Sequence, residues 1–331
     1  MKSETLNICQ VSLAGNIPII KQNIEKFNNF YNSVFFYIIV PNKDFNLFKR
    51  KIKNQNVEII PEDKLIKFKV FKKISNSFFK KSKYYKEIQH RLTWYYQQIL
   101  KLTFIIDFVN RKNENVIIWD ADTIMINRIQ FFDKKKSIKY GTTSYFHKAY
   151  YYTNKTILKE LPKYYISSLS QFVNLSTLDQ KFLKKKLKID QLKGNPSFSI
   201  SKTVMRAVRD THKIYNGSMF SEYELVGQSN LLLEYSKQKL ISGIRDWLDG
   251  VLTNNQINLL KVLGFKYIAY EHTHPNSLSK NMLNRKQKWS RFLYILTKKL
   301  SNNFFRGIRH HFNYLINWFI PTSWKFDVSF V

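Results

Sequence analysis

The chain has 331 residues, of which 44% are hydrophobic and 16% aromatic, so it has ample material for a folded core and wholesale disorder is excluded. Nine glycines, seven prolines and the single cysteine Cys9 exclude collagen-like, low-complexity and disulfide-rich classes. Lys and Arg number 55 against 23 Asp and Glu, which gives a formal charge of +32 at pH 7. That charge suits an anionic partner, although an AT-rich genome would also produce it without any selected partner.

Two compositional features bear on partner and location. Arg is better suited than Lys to recognise nucleic-acid bases by bidentate hydrogen bonds. Because Arg is scarce in this chain, no specific nucleic acid is expected as a partner. The first residues lack the apolar segment of a signal peptide, and no run of 18 apolar residues occurs. We therefore expect a cytoplasmic protein.

Strand and helix patterns alternate over the first 60 residues. Apolar runs predict strands, and apolar residues repeated at helical spacing, or Pro18 at a helix start, predict helices. The predicted elements are a strand at Leu6–Leu13, a helix from Pro18, a strand at Val34–Val40, a helix at Phe45–Lys53 and a strand at Val57–Ile60. This alternation is typical of an α/β fold with a mostly parallel sheet flanked by helices.

The rest of the chain is less regular. Residues 64–86 are rich in lysine and aromatics without a clean period, which predicts a basic surface excursion. The remaining predicted elements are helices at 91–108, 201–212 and 222–235 and strands at 116–119 and 265–270. The composition shifts near residue 280, and we expect one domain over 1–280 and a basic, aromatic, helical extension over 281–331.

The sharpest chemical feature is a pair of carboxylates directly after the strand Val116–Trp119. Asp120 and Asp122 lie at i and i+2, positions that share a face if the chain stays extended. Two carboxylates on one face repel each other unless a cation lies between them, and hard oxygen ligands suit Mg²⁺ or Mn²⁺ bound together with substrate phosphates. The alternative is a strand-end pair that only caps the next turn.

Three motifs in order carry a family resemblance. They are the helix Arg91–Leu102 (RLTWYYQQILKL), the Asp120-Ala121-Asp122 strand end, and Phe220–Gly227 (FSEYELVG). Together they resemble GT-A glycosyltransferases, and more specifically an uncharacterised bacterial GT-A-like family with GW..QQ..KL, LDADT and FSEYELYG motifs. The chain departs from those motifs at Thr93, where Gly is usual, and at Val226, where Tyr is usual.

The resemblance implies a GT-A-like, Rossmann-type fold that binds a nucleotide-sugar donor with Mn²⁺ or Mg²⁺. It implies that Asp120 faces the nucleotide ribose and the metal and that Asp122 is the main metal ligand. The further residues that could contact the donor are Arg91, Gln97, Gln98 and Lys101. A solvated helix face explains these polar residues equally well, and two adjacent glutamines cannot share one face.

The catalytic base and a third metal ligand are implied less directly. An inverting transferase needs a carboxylate near the acceptor hydroxyl, and Glu222 or Glu224 could serve, with Glu222 preferred because Glu224 could complete a capping box with Ser221. Asp246 and Asp249 are the reserve carboxylates. Many GT-A enzymes take a late histidine as a metal ligand, and His272 and His274 occupy such a position, although a polar loop explains them too.

Residues 280–331 hold ten Lys or Arg, one acid and twelve aromatics. Basic residues interleaved with aromatics are typical of a helix lying on an anionic membrane surface, which predicts a peripheral location on the inner face of the membrane. Helices packed on the domain are the alternative.

These features predict a metal-dependent glycosyltransferase that transfers a sugar to a cell-surface glycan or a lipid-linked acceptor. Two other classes stay open. One is a haloacid-dehalogenase-like phosphatase or phosphotransferase that uses Asp120 as its nucleophile, and the other is a non-catalytic basic nucleic-acid-binding protein.

Overall fold

A computed structural model describes residues 5–133, 136–141, 147–160, 171–187, 189, 195–233, 237–247, 252–270 and 296, without the side chains of 109–111, 136, 237 and 245–247. The chain divides into two compact units, residues 1–247 with 251–271, and residues 248–250 with 272–331. The strands and helices described below belong to the first unit. The predicted domain boundary at residue 280 lies outside the described residues and stays a prediction.

The first unit contains eleven strands and ten α-helices among the residues that the structure describes. The strands are β1 Leu6–Val11, β2 Val34–Val40, β3 Val57–Pro61, β4 Val116–Trp119, β5 Thr123–Met125, β6 Phe132–Asp133, β7 Lys136–Gly141, β8 Phe172–Leu175, β9 Lys237–Leu240, β10 Gly243–Trp247 and β11 Tyr267–Tyr270. The helices are α1 Ile17–Phe30, α2 Phe45–Lys51, α3 Phe68–Phe79, α4 Tyr85–His90, α5 Leu92–Lys112, α6 Lys148–Leu158, α7 Thr177–Lys186, α8 Pro196–His212, α9 Glu222–Leu232 and α10 Asn254–Val262.

Five strands form the central sheet in the order β3-β2-β1-β4-β8. The first four are parallel, and β8 runs antiparallel to β4. The predicted fold class, an α/β protein with a mostly parallel sheet flanked by helices, is therefore confirmed. The strand order reverses between β1 and β4, which makes the crevice beyond their carboxyl ends the expected ligand site of such a sheet.

Both faces of the central sheet are buried, as continuous apolar strands require. Alternate residues of β2 enter different cores, Phe36 on one side of the sheet and Tyr37 on the other. The core around Phe36 is covered by α1 and α2, whereas the core around Tyr37 is covered by α3, α5 and α8. The central sheet therefore lies between two helical layers, one on each face.

Residues 64–86 were predicted as a basic surface excursion without a clean helical period, and their lysines are indeed exposed. The structure has the helices α3 and α4 there. The buried side chains of α3 include Phe71, Ile74 and Phe79, at a spacing that fits one helix face. Further aromatic residues and lysines on the remaining positions obscured that period. Helix α8 also begins earlier than predicted, because Asn195 caps it and Pro196 occupies its first turn.

Two smaller sheets complete the unit. Strands β10, β11 and β5 form one, and β6, β7 and β9 form the other. Within the part of the chain that the structure describes, no helix is both long enough and apolar enough to cross a membrane.

The sheet that contains β5 provides a test of the packing. A Cβ atom at Gly243 would overlap the ring of buried Tyr267 on the neighbouring strand β11. We expect Gly243→Ala to lower the free energy of unfolding by about 1–3 kcal/mol through overpacking, measured by urea unfolding. The control is Gly15→Ala, since a Cβ there meets nothing within 4 Å. Equal stability of the two variants would contradict the packing described.

Candidate functional site

The chain turns sharply where β4 ends, at the point where the sheet's strand order reverses. Thr123 N donates to Asp120 O at 3.1 Å, which closes a turn over Asp120–Thr123 before β5 begins. The expectation that Asp120 and Asp122 share a face of extended chain was therefore wrong. The apolar strand ends at Trp119, and the hydrogen bond from Thr123 reverses the chain immediately after it.

Buried hydrogen bonds hold this turn in place. Thr123 O accepts from Asn23 Nδ2 of α1 at 2.5 Å and from Trp119 Nε1 at 2.7 Å. Tyr270 N of β11 donates to Asp122 O at 2.8 Å. The backbone that carries both carboxylates is thus attached to a helix, to its own strand and to the neighbouring small sheet.

Lys101 of α5 joins the turn to a distant helix. Its ammonium Nζ lies 2.6 Å from Asp120 Oδ1 and 2.6 Å from Glu222 Oε1 at the start of α9. It also donates to the Tyr223 hydroxyl at 3.1 Å and lies 4.7 Å from the centre of that ring. Side chains separated by up to 122 positions in the sequence therefore meet at one buried ammonium.

The electrostatics follow from this burial. Desolvation disfavours the Lys101 ammonium, but Asp120 and Glu222 outweigh it and raise its pKa, so the lysine stays charged. Burial also raises the pKa of Glu222, against the opposing effect of Lys101. Burial and then the Asp120 charge raise the pKa of Asp122 to about 7. The site thus holds two carboxyl groups paired with one ammonium and a third, Asp122, close to Asp120.

Helix α9 delivers Glu222 to this cluster. Ser221 caps the helix by accepting from Glu224 N at 3.5 Å, so Glu222 and Glu224 both lie in its first turn, where the helix dipole favours negative charge. Both glutamates are 3% exposed. Because they are so deeply buried, neither is an ordinary solvated surface acid.

Of the other residues predicted to contact the donor, the glutamines lie near Lys101 in the sequence of α5 and Arg91 lies farther away. Gln98 lies one helical turn before Lys101, is 2% exposed, and its amide has no hydrogen bond to any described residue, whereas Gln97 is partly exposed. Arg91 lies before the start of α5, about 15 Å along the helix from Lys101, where its charge acts on His147 and His212. The structure therefore brings Lys101, Asp120 and Glu222 together and leaves Arg91 outside the cluster.

Other predicted residues fall beyond what the structure describes. His272, His274 and Asp249 lie outside the described residues, as does the side chain of Asp246. Their roles stay predictions.

Tyr223 lies in the site and was not among the predicted site residues, and a second polar group, Gln10, is buried in β1 outside the cluster. Tyr223, whose hydroxyl hydrogen-bonds Asp120, looked like one more aromatic of a helix. Gln10 is completely buried near the carboxyl end of β1, and its side-chain amide has no hydrogen bond to any described residue. A polar residue within an otherwise apolar strand was the available signal for Gln10.

The carboxylates of the turn are oxygen ligands of the type that Mg²⁺ and Mn²⁺ prefer. No group of three or more metal-ligating side chains occurs among the residues with described positions. Mg²⁺ and Mn²⁺ commonly take only one or two carboxylates and complete their shell with water and phosphate. Burial and then the charge of Asp120 raise the pKa of Asp122, and a cation bound beside this carboxylate would oppose both effects.

Fold and site together define a doubly wound α/β protein with an acidic cluster at the switch point of its sheet. The chain belongs to the protein family of unknown function DUF6492, whose model matches residues 13–225. No curated protein matches it.

Several solved structures of glycosyltransferases are similar to this chain. The galactosyltransferase LgtC, solved with donor and acceptor sugar analogues, is 8% identical with a TM-score of 0.42, over 88% of this chain and 95% of its own. Mouse xyloside xylosyltransferase 1 is 10% identical with a TM-score of 0.40, over 82% of this chain and 99% of its own.

The buried ammonium gives a prediction for stability. In Lys101→Met, Asp120 and Glu222 lose their shared cation, and we expect the free energy of unfolding to fall by about 3–5 kcal/mol. Without the ammonium, the pKa of folded Glu222 rises further above its ordinary value of 4.5, so the folded state binds more protons than the unfolded state. The deficit relative to the unmodified protein should therefore be larger at pH 8 than at pH 5, as measured by urea unfolding.

The exposed Lys112 on the same helix supplies the control, Lys112→Met, which should leave stability within about 0.5 kcal/mol. Adding Glu222→Gln to Lys101→Met should recover part of the loss. A deficit that does not change with pH would contradict the proposed pairing.

Proposed function

We propose that this protein is a metal-dependent glycosyltransferase that moves a sugar from a nucleotide-sugar donor to a glycan or lipid-linked acceptor. The observation that carries the proposal is the pairing of Asp120 and Glu222 with Lys101, with Asp122 in the same turn as Asp120, beside the reversal of strand order. Enzymes with open α/β sheets bind their ligands at that position.

The charge balance supports a donor that brings both a cation and phosphates. Asp120 and Glu222 pair with one ammonium and Asp122 lies close to Asp120, so the carboxyl groups outnumber the cation and the cluster can accept a divalent cation but repels a bare anion. A nucleoside diphosphate that arrives with Mg²⁺ or Mn²⁺ meets both requirements. Asp122 would be the main ligand of that ion, with Asp120 beside it.

The chain's own residues would position the donor. Lys101 orients Asp120 by a short charge-assisted hydrogen bond, and Tyr223 adds a second contact to the same carboxylate. The side-chain amide of Gln98, one helical turn before Lys101, has no hydrogen bond to any described residue and would bind a polar group of the donor. When bound, the cation would act as a Lewis acid on the oxygens of the departing diphosphate.

Glu222 is the proposed general base for an inverting transfer. Its burial raises its pKa toward neutrality, which favours proton transfer from an acceptor hydroxyl. Its ion pair with Lys101 fixes the orientation of the carboxylate and also lowers its basicity, so proton transfer would depend on how tightly that pair is held.

The phosphatase alternative requires Asp120 to attack phosphorus. Lys101 and Tyr223 both hydrogen-bond its carboxylate, and such contacts stabilise the ionised form and lower its nucleophilicity. Binding of vanadate or beryllofluoride that depends on Asp120, without metal-dependent binding of nucleoside diphosphates, would favour that alternative.

The predicted membrane contact of residues 281–331 and the third metal ligand at His272 or His274 belong to the same proposal. They lie outside the described residues. A lipid-linked acceptor would make a peripheral position on the membrane useful.

The metal assignment predicts opposite effects on binding and on stability. Asp122→Asn should abolish the Mn²⁺-dependent thermal stabilisation by nucleoside diphosphates and nucleotide sugars, which for the unmodified protein reaches about 2.7 kcal/mol at a hundred times Kd. Without ligand, the variant should be more stable at pH 8. The pKa of folded Asp122 is about 7 against an ordinary 3.8, so its ionisation destabilises the folded state as pH rises, and asparagine removes that loss.

Exposed Asp63 supplies the control variant, Asp63→Asn, which should keep the ligand response. Loss of stability in Asp122→Asn together with an unchanged Mn²⁺ response would contradict the metal site.

The base assignment predicts a separation of binding from turnover. Glu222→Gln keeps the size of the side chain and should keep donor binding, whereas the transfer rate at saturating donor should fall by about two to four orders of magnitude. The parallel variant is Glu224→Gln, at another carboxylate of the same helical turn. Full activity of Glu222→Gln with loss in Glu224→Gln would assign the base to Glu224.

A further inference from the structure

Helices α3 and α8 lie side by side and run in the same direction. Near their starts, Asn195 Nδ2 donates to Leu65 O at 3.5 Å. Near their ends, the rings of Phe79 and His212 lie 6.2 Å apart. The outer sides of the two helices therefore form one continuous surface, about 25 Å long because α8 has 17 residues.

This surface carries charge of almost one sign. Residues 67–86 contain eight lysines, all exposed, and no acid. Helix α8 adds exposed Lys202, Arg206 and Lys213 at its outer side, where Asp210 is paired with Arg209 and Lys213. We call the outer sides of α3 and α8, with the lysines of residues 67–86, the α3–α8 basic face.

Apolar side chains stand among these cations. Val70 and Phe198 are each 41% exposed and lie toward the end of the face where both helices start. Lys202 Nζ lies 4.4 Å from the centre of the Phe198 ring, and the Arg209 guanidinium lies 5.7 Å from that of Phe78. Cations on flexible stems beside exposed aromatic and aliphatic groups are typical of surfaces that lie on lipid headgroups.

We propose that the α3–α8 basic face docks on an anionic phospholipid bilayer. The charge is complementary to such a surface, and two parallel helices can lie flat on it. Lysine side chains are hydrated point charges that suit the diffuse negative charge of a membrane surface. Proteins that recognise nucleic-acid bases rely instead on the bidentate hydrogen bonds of arginine. Val70 and Phe198 supply apolar contact that a phosphate backbone would not use.

The opposite side of the sheet offers a matched control. Helices α1 and α2 cover the other core, and Lys21, Arg50, Lys51 and Lys53 are exposed on or just after them. These cations are interspersed with acids such as Glu25, Asp44 and Glu58. Charge reversal there changes the net charge of the chain as much as reversal of four lysines on α3.

The experiment is sedimentation of the full chain with vesicles of 30% phosphatidylserine in phosphatidylcholine, with pure phosphatidylcholine as reference. Reversal of Lys69, Lys72, Lys73 and Lys80 to Glu should lower the partition coefficient at least a hundredfold, since each lysine near such a surface contributes about fivefold. The control reversal of Lys21, Arg50, Lys51 and Lys53 to Glu should lower it less than tenfold.

A second, independent variant, Lys202→Glu with Arg206→Glu on α8, should lower partitioning more than tenfold and covers the case in which the α3 variant does not fold. Equal loss in the α3 variant and the control would show that binding follows net charge and would overturn the proposal. So would unchanged binding by both α3 and α8 variants, or binding of the unmodified protein to single- or double-stranded oligonucleotides but not to the vesicles. None of these outcomes requires glycosyl transfer.

Discussion

The buried ammonium of Lys101 is the interaction on which the arrangement of the site depends. It lies between Asp120, in the turn after β4, and Glu222, at the first position of α9. A charge removed from water is tolerated only with close partners, so the pairing requires α5, the turn and α9 to meet at one point. The same contact that satisfies the lysine therefore determines where the carboxylates lie relative to the sheet.

The turn itself is fixed from the other side of the sheet. Asn23 of α1 and the Trp119 indole both donate to Thr123 O. The acidic turn is thus attached to one helical layer by its backbone and to the other by the side chain of Asp120. Because the turn is attached to both layers, it can hold the carboxylates of Asp120 and Asp122 close together although they repel each other.

The parts of the fold and site that depend on neighbouring residues were predictable from the sequence. The apolar runs of β2 and β4, the helical spacing of α5 and the carboxylates after β4 can be read from neighbouring residues. The pairing of Lys101 with Glu222 could not, because 121 positions separate them and only the packing of α9 joins them. Helix α3 was not predicted because its lysines and partly buried aromatics obscure the apolar period. The extended conformation predicted for Asp120–Asp122 was wrong because the backbone hydrogen bond from Thr123 to Asp120, rather than the residue types, determines the turn.

The position of α9 has a consequence for the order of events during synthesis. Every residue from Glu222 to Asn230 is buried, so the growing chain must keep a helix-sized space open until that segment leaves the ribosome. Until then Lys101 has Asp120 but lacks its second carboxylate, Glu222, and closing so long a loop is a slow, entropically opposed step. The cluster would then be among the last parts of the unit to assemble, and a nascent chain stalled before residue 222 would expose the groove that α9 fills to chaperones and proteases.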